Sequence, residues 1–367
     1  MPPPSPAAPG QTWAIIMAGG TGTRFWPASR RARPKQYLPI AGDAPMLTQT
    51  AARLQGLVPL ERVLVVTTEE QRSAVEACLP ELPRHNLVAE PIGRNTAACT
   101  ALAALEVRRR DPQAGLFVLP ADHVIEPAER FRATLAAGLA EARAHGTLVT
   151  FGIQPTAPAT GYGYIELGDA LAVEQGQAVH AVRRFVEKPD RARAEAFLET
   201  GRFLWNAGIF AFTAEAILAA FRRHAPGILA TLEPVVGDAA RLAAAYARVE
   251  SVPIDVAIFE KAENVRTLRI DYRWNDVGSW SALAEIGHPD AGGNFKALGP
   301  LAKLIAEDAR GNVVYSEGDD LIALVGVDDL VVVRSGRVTL VCTRERAQDV
   351  KRIVERLGAA PGGAEFL

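Results

Sequence analysis

The stretch Ala18-Gly19-Gly20-Thr21-Gly22-Thr23-Arg24, followed by Lys35, carries residue types suited to holding phosphate. Glycines let a backbone turn tightly and approach a ligand closely, and unpaired N–H groups in such a turn can point at phosphate oxygens. The guanidinium of Arg24 adds a planar cationic fork that matches the same oxygens. Two more cations, Arg94 and Lys188, fall at or just after the ends of expected strands. Two carboxylates do the same: Asp122 behind Pro120, and Asp276 ahead of Val277-Gly278. Such a pair suits a shared Mg²⁺ ion, which takes hard oxygen ligands and commonly rests on one or two carboxylates plus substrate phosphates. Taken singly, each cation reads as an ordinary surface residue, and Asp276 reads equally well as a helix cap before Trp280. Glu187-Lys188-Pro189, Asn206 beside Gly208 and the turn Gly161–Gly163 offer a carboxylate, a cation and amide groups to a polyhydroxy ligand carrying phosphate. His123 has no partner histidine at i+4 and reads as a packing or turn residue.

The glycine spacing excludes two common phosphate loops. A dinucleotide fold wants G-x-G-x-x-G, but the third position falls on Phe25, and no lysine follows Gly22 as an ATPase loop requires. The chain has 367 residues, 49% of them apolar, and a net charge of −2. That is enough for one large and one small domain, and it argues against a generic nucleic-acid binder. The three cysteines, Cys78, Cys99 and Cys342, are too far apart for a C-x-x-C site and suggest a reducing compartment. Residues 1–11 read as a disordered Pro/Ala-rich tail without the features of a signal peptide, and no run is long and apolar enough to span a membrane. The expected setting is cytoplasmic.

Short apolar strands are expected at Trp13–Met17, Arg62–Thr67, Asn86–Ala89, Leu116–Leu119 and Leu148–Ile153. They alternate with helices at Met46–Gln55, Glu69–Cys78, Thr96–Arg110 (capped by Asn95) and from Pro127 to about Ala144. This is the pattern of an α/β domain with a Rossmann-like, mostly parallel sheet, in which ligands sit beyond the carboxyl ends of the strands. Further strands are expected after Thr160, at Ala181–Val186, Ile209–Phe212 and Val265–Ile270. Helices are expected at Arg191–Leu198, Ala214–Arg223 and about Ile228–Arg248, with a last one beginning near Trp280. The catalytic domain is placed at 12–285. Beyond a linker at Pro289–Gly299, the segment 286–367 reads as a small β-rich domain, with strands at Asn312–Tyr315, Leu321–Val325, Leu330–Arg334 and Arg337–Cys342 and an amphipathic helix at Ala347–Leu357. No repeat strict enough to count rungs is visible.

Several stretches together closely resemble the bacterial mannose-1-phosphate guanylyltransferases, a branch of the sugar-phosphate nucleotidyltransferases. They are Ala18 to Pro27 with Ser29-Arg30 and Pro34-Lys35-Gln36; Glu90-Pro91-Ile92-Gly93-Arg94-Asn95-Thr96-Ala97; Pro120-Ala121-Asp122-His123; Phe185 to Pro189; Trp205 to Phe210; and Asp276-Val277-Gly278-Ser279-Trp280. The first glycine stretch alone indicates only a nucleotidyltransferase. The stretches at 26–30, 93–96 and 276–280 narrow it to the mannose and guanine branch.

The resemblance implies that Gly19, Gly20, Thr21, Gly22, Thr23 and Arg24 form the loop over the nucleotide phosphates, with Arg24 and Lys35 neutralising them. Asp122 and Asp276 become the Mg²⁺ ligands, and Glu90, Gly93 and Asn95 lie near the guanine edge. Lys188 holds the sugar phosphate, Glu187, Asn206 and a Gly163 backbone group meet the mannose ring, and Lys261 is a second sugar-phosphate ligand. The implied reaction takes GTP and mannose 1-phosphate to GDP-mannose and pyrophosphate. The implied enzyme is a homodimer with a short left-handed β-helix-like tail, and neither nucleic acid nor membrane is a partner. The family's usual proline after Asn-Thr-Ala is absent here, at Ala98-Cys99. Larger members carry an appended isomerase domain for which this chain is too short, so transferase activity alone is expected. The competing readings are a nucleotidyltransferase for another sugar phosphate or base, and a silent regulatory homologue that only binds GDP-mannose.

Overall fold

Alternating burial sets the core of the first domain. Along the first strand, Trp13 and Ile15 face one apolar cluster while Ala14 and Ile16 face another, so the sheet is covered on both sides. The computed structural model describes residues 10–20 and 22–367; Thr21 and residues 1–9 of the expected tail lie outside the described residues. Gly10 and Gln11, at the end of that tail, are tied down: their carbonyls accept from Arg143 Nη2, and the Gln11 amide donates to Asp111 Oδ2.

In chain order the strands are β1 (Thr12–Met17), β2 (Val63–Thr68), β3 (Leu87–Glu90), β4 (Gly115–Pro120), β5 (Val124–Glu126), β6 (Leu148–Ile153), β7 (Tyr164–Glu174), β8 (Gln177–Val186), β9 (Phe203–Thr213), β10 (Val265–Ile270) and β11 (Arg273–Asn275). Nine of them form one sheet in the order β3-β2-β1-β4-β9-β6-β10-β8-β7. Strands β3, β2, β1 and β4 run parallel, β9 runs antiparallel between β4 and β6, and β7–β8 is a hairpin. The sheet is therefore mixed and mostly parallel, as expected. The carboxyl ends of β1, β3, β4, β6 and β10 share one edge, and Asn206, near the start of β9, lies on that edge because it pairs with Gly152 near the end of β6.

The remaining two strands form an antiparallel ribbon, with Asn275 opposite Val124. Neither was foreseen, because three-residue strands carry too little periodicity to detect. The ribbon is what sets Asp276 beside the Asp122-His123 turn.

The C-terminal module holds β12 (Phe295–Leu298), β13 (Lys303–Glu307), β14 (Val313–Ser316), β15 (Leu321–Val325), β16 (Leu330–Ser335) and β17 (Val338–Thr343). β12, β14 and β16 pair in parallel, as do β13 and β15, with partners a constant 18 residues apart. The module is thus a short parallel coil with an 18-residue rung, a repeat the sequence reading missed. Its signature is an inward asparagine: Asn312 Nδ2 donates to Asn294 Oδ1 at 2.9 Å, and the Leu330 amide donates to Asn312 Oδ1 at 2.9 Å. One apolar cluster joins this coil to the first domain, in which Trp280 packs at a tilt against both Phe25 (4.8 Å between ring centres) and Tyr315 (4.9 Å).

Other differences are local. The expected helix at 228–248 is two helices, Pro226–Leu232 and Ala239–Tyr246, broken where Gly237 adopts φ +84° and Asp238 caps the second. The expected linker contains β12. The terminal helix begins at Val350, after a 3₁₀ turn over Arg344–Asp349. Asn95 does not precede its helix but opens it, at φ +65°, with Oδ1 accepting the Thr96 amide.

Candidate active site

The glycine loop leaves β1 over a buried polar platform. The Ala18 carbonyl accepts from Gln36 Nε2, Tyr37 Oη and Thr67 Oγ1 at 2.8–3.0 Å, and the Gly20 carbonyl accepts from Gln36 and Gln71. The carbonyls of Ala18 and Gly20 are thus fastened from beneath. Gly22, at φ +59°, presses on the next segment so closely that a Cβ there would lie 2.7 Å from the Lys35 amide nitrogen. Only glycine meets both conditions without strain. Ser29 Oγ completes the clamp by donating to the Gly22 carbonyl.

Lys35 is the hub of the site. Its Nζ lies 2.9 Å from Asp122 Oδ2 and donates to the carbonyls of Asp276 and Val277, each at 2.8 Å. Burial raises the Asp122 carboxyl, but the charge and hydrogen bond of Lys35, helped by the neighbouring His123 ring, outweigh it, leaving Asp122 below the ordinary carboxylate value and ionised. Burial lowers His123 in spite of Asp122 and Asp276. Its Nδ1 accepts from Trp274 Nε1 at 3.2 Å, as a neutral imidazole would, and this agrees with the packing role expected for it. Asp276 does not cap a helix: the Val277 amide, at φ +48°, turns back onto Asn275 Oδ1, and Tyr162 Oη donates to Asp276 Oδ1 at 2.9 Å. Tyr162 was not singled out from the sequence, although it stands inside the glycine-aromatic turn that was.

These groups open on a cleft of about 1270 Å³ whose walls include Gly22, Arg24, Lys35, Asp122, Asp276 and Lys188. Gln348 and Lys351 of the C-terminal module close one side of it. Arg24 is exposed there and makes no ion pair among the described residues.

A second polar group lies along the same strand edge. Lys188, at φ +43°, holds Glu187 Oε1 at 2.6 Å, and a Cβ on Gly163 would fall 2.8 Å from Glu187 Oε2. Asn206 is buried. Its amide nitrogen donates to Asp255 Oδ1 at 2.9 Å, and its oxygen accepts from Thr150 Oγ1 and the Gly208 amide. Asp255 sits at the start of a π-helical turn, Asp255–Phe259. Burial, reinforced by the charge of Glu187, pushes its carboxyl up to about 7. The sequence reading took Lys261 from this stretch. In the structure Lys261 is exposed and lies within electrostatic reach of His224, while Asp255 of the same stretch is the one bonded to Asn206.

Beside the glycine loop, Glu90 is buried at the end of β3, accepts from Tyr246 Oη at 2.5 Å and turns Oε2 toward Gly19, within 3.4 Å of where a Cβ would be. Burial raises it to about 7, against the Tyr246 hydrogen bond. Gly93 and Asn95 occupy the exposed turn that follows. Arg94 serves the fold, donating to the carbonyls of Tyr246 and Ala247.

A glycine loop, a lysine-bridged pair of acidic segments and a polyol-ready strand edge sharing one sheet margin define a nucleotidyl-transfer class of fold and site. Comparison with known proteins agrees. The nucleotidyl transferase family model matches residues 13–291, and the model for the "MannoseP isomerase/GMP-like beta-helix domain" matches 303–357. The mannose-1-phosphate guanylyltransferase of Klebsiella pneumoniae is 40% identical over 94% of this chain and 73% of its own length. That of Escherichia coli K12 is 38% identical over 96% and 74%. A crystal structure from Thermus thermophilus, described as a mannose-1-phosphate geranyltransferase, superposes with a TM-score of 0.85 at 37% identity, covering 95% of this chain and 99% of that one. The chain belongs to the nucleotidyl transferase family and, within it, to the mannose-1-phosphate guanylyltransferases. Enzymes of this family generally use a divalent metal.

Proposed function

We propose that this enzyme transfers GMP from GTP to α-D-mannose 1-phosphate, giving GDP-mannose and pyrophosphate. The observation that carries the proposal is that one cleft joins a glycine phosphate loop to Lys188, with the Lys35–Asp122–Asp276 hub between them. A sugar-phosphate oxygen is already an anion. It attacks the α-phosphorus in line, the new P–O bond forms as the bond to the β-phosphate oxygen breaks, and pyrophosphate leaves with the electron pair. No protein nucleophile is required, so the residues act by alignment and by absorbing charge. Gly19–Arg24 take the nucleotide phosphates, Lys35 neutralises their charge from its place in the hub, and Lys188 takes the sugar phosphate. Glu187, Asn206 and Gly163 face the mannose ring, and Glu90, Gly93 and Asn95 line the guanine side. Mg²⁺ fits the donor set: Asp122 and Asp276 offer hard oxygens, and Asp276 Oδ2 accepts no hydrogen bond among the described residues. When bound there it would supply Lewis-acid neutralisation of phosphate charge.

A cytoplasmic homodimer that engages neither nucleic acid nor membrane is the setting we propose. Three free cysteines suit a reducing compartment, the net charge is near zero, and exposed Leu301, Ile305, Leu321 and Val325 on the coil suit contact with a second copy. The test offers each of the four NTPs with mannose 1-phosphate or glucose 1-phosphate and follows pyrophosphate release, with and without Mg²⁺. Turnover confined to GTP with mannose 1-phosphate is expected; preference for another pair would overturn the proposal.

A further inference from the structure

We infer that Lys351, on the helix Val350–Ala359 of the C-terminal module, is a ligand of the terminal phosphates of GTP and of the pyrophosphate they become. The inference rests on the reading of the cleft given above and adds a residue from outside the catalytic domain to it.

The placement follows from how that helix is fastened. Val350, Val354 and Leu357 recur at helical spacing and pack into the cluster that contains Phe25 and Trp26, directly after the glycine loop. One position round from this strip, Lys351 turns out of the packed face and, with Gln348, lines the cleft that Gly22, Thr23 and Arg24 also line. The helix therefore lies on the glycine-loop side of the site, where the nucleotide phosphates belong.

The ammonium is available for this. Its ion pair with Glu355 on the same helix is 3.6 Å long with both side chains 62% exposed, an arrangement that holds a lysine only weakly. Of the other lysines of the cleft, Lys35 is held by Asp122 and two carbonyls, and Lys188 stands beside Glu187 on the sugar side. Negative charge grows on the pyrophosphate as it leaves; Arg24 makes no ion pair among the described residues, and Arg191, the remaining cation of the cleft, is paired with Glu195 at 2.7 Å three residues beyond Lys188 on the sugar side. Lys351 thus makes the coil a part of the nucleotide site.

Steady-state kinetics of Lys351→Ala and Lys351→Arg test this in both directions, forward with GTP and mannose 1-phosphate and in reverse with GDP-mannose and pyrophosphate. Lys351→Ala is expected to raise KM for GTP and for pyrophosphate about tenfold, the worth of one charge-assisted hydrogen bond. KM for mannose 1-phosphate and GDP-mannose should stay within about twofold, and Lys351→Arg should recover most of the loss. An unchanged KM for pyrophosphate in Lys351→Ala, an equal rise for all four substrates, or an arginine variant as impaired as the alanine one would overturn the assignment. The wild-type enzyme assayed alongside separates the two readings: if it does not use GTP with mannose 1-phosphate, the cleft's reading fails first.

Discussion

Lys35 Nζ lies 2.9 Å from Asp122 Oδ2 while donating to the carbonyls of Asp276 and Val277, so one ammonium joins the two segments that bear the acidic residues. All three of its protons are placed at this node, and its side chain is only 11% exposed. A lysine spent in this way organises the site as well as charging it.

Lys35→Met should therefore lose both functions. We expect kcat to fall by about 100-fold or more, since removal of one preorganised electrostatic contact commonly costs that much. Stability should fall by about 1–3 kcal/mol, because Asp122 and two carbonyls lose their donor. Lys35→Arg should not rescue, since a planar guanidinium cannot reproduce the three-way ammonium geometry. Stopped assays paired with thermal melts check both halves, and near-normal kcat in the methionine variant would remove Lys35 from the machinery.

Gly22→Ala tests the loop. The added methyl would meet the Lys35 amide nitrogen at 2.7 Å and Pro34 Cβ at 3.1 Å, on a backbone already at φ +59°. A left-handed residue with a Cβ costs about 1–2 kcal/mol before any clash. The variant should melt lower and lose kcat/KM for GTP more than for the sugar phosphate. Gly20→Ala meets nothing within 4 Å and should keep the wild-type melting temperature. Equal melting of the two variants would mean that the Gly22 contact imposes no strain.

Much of this site could be read from residue order alone, and the reasons for the exceptions are physical. Gly22, Lys35, Asp122 and Asp276 stood out because glycine clusters and charges behind apolar strands are local signals. The pairing of Asp122 with Asp276 was not local: it depends on the short β5–β11 ribbon, whose strands are too brief to announce themselves. Gln36, Tyr37, Thr67 and Gln71 were missed as the loop's platform because buried polar networks assemble from separate segments and have no periodicity. Asp255 escaped notice because the π-turn that carries it to Asn206 is a feature of the backbone, not of residue type. The 18-residue rung of the coil escaped notice because few positions repeat in kind from turn to turn, and the clearest pair, Gly293-Asn294 against Gly311-Asn312, gives way to Asp329-Leu330 on the next rung.

Asp276→Ala should abolish metal-dependent turnover. Its carboxylate faces the cleft, steadied on one oxygen by Tyr162. The Lys35 bonds run to backbone carbonyls at 276 and 277, so the substitution leaves them in place and the fold should persist. A titration of rate against Mg²⁺ concentration reads the effect. A variant with the wild-type metal dependence would falsify the assignment of Asp276 as a ligand.

Lys188→Ala should act on the other substrate. Lys188 is on the surface beside Glu187, so its loss should leave the melting temperature within a degree or two, the expectation for an exposed side chain. KM for mannose 1-phosphate should rise by about tenfold or more, as for any lost charge-assisted phosphate contact, with KM for GTP little changed. A rise confined to GTP would move Lys188 to the nucleotide side.

Asp255 gives a prediction whose sign depends on pH. Its carboxyl titrates at about 7 in the folded protein against 3.8 ordinarily, because of burial first and the neighbouring charge of Glu187 second, with Lys188 and the Asn206 hydrogen bond opposing. A raised acid keeps its proton in the folded chain while the unfolded chain has already released it. The stability tied to Asp255 is therefore complete below about pH 4, declines as pH rises through about 7, and is level above that. Asp255→Asn keeps an acceptor for Asn206 Nδ2 and cannot ionise. It should match the wild type near pH 4 and gain on it steadily up to neutrality. The gap should reach at most about 4 kcal/mol, counting about 1.4 kcal/mol per pH unit of displacement. Denaturant melts of both proteins from pH 4 to 8 would show the gap opening between pH 4 and 7 and holding beyond. A gap constant across that range would mean that Asp255 is ionised in the folded protein, and the Asn206–Asp255 contact would then be a hydrogen bond to a buried anion.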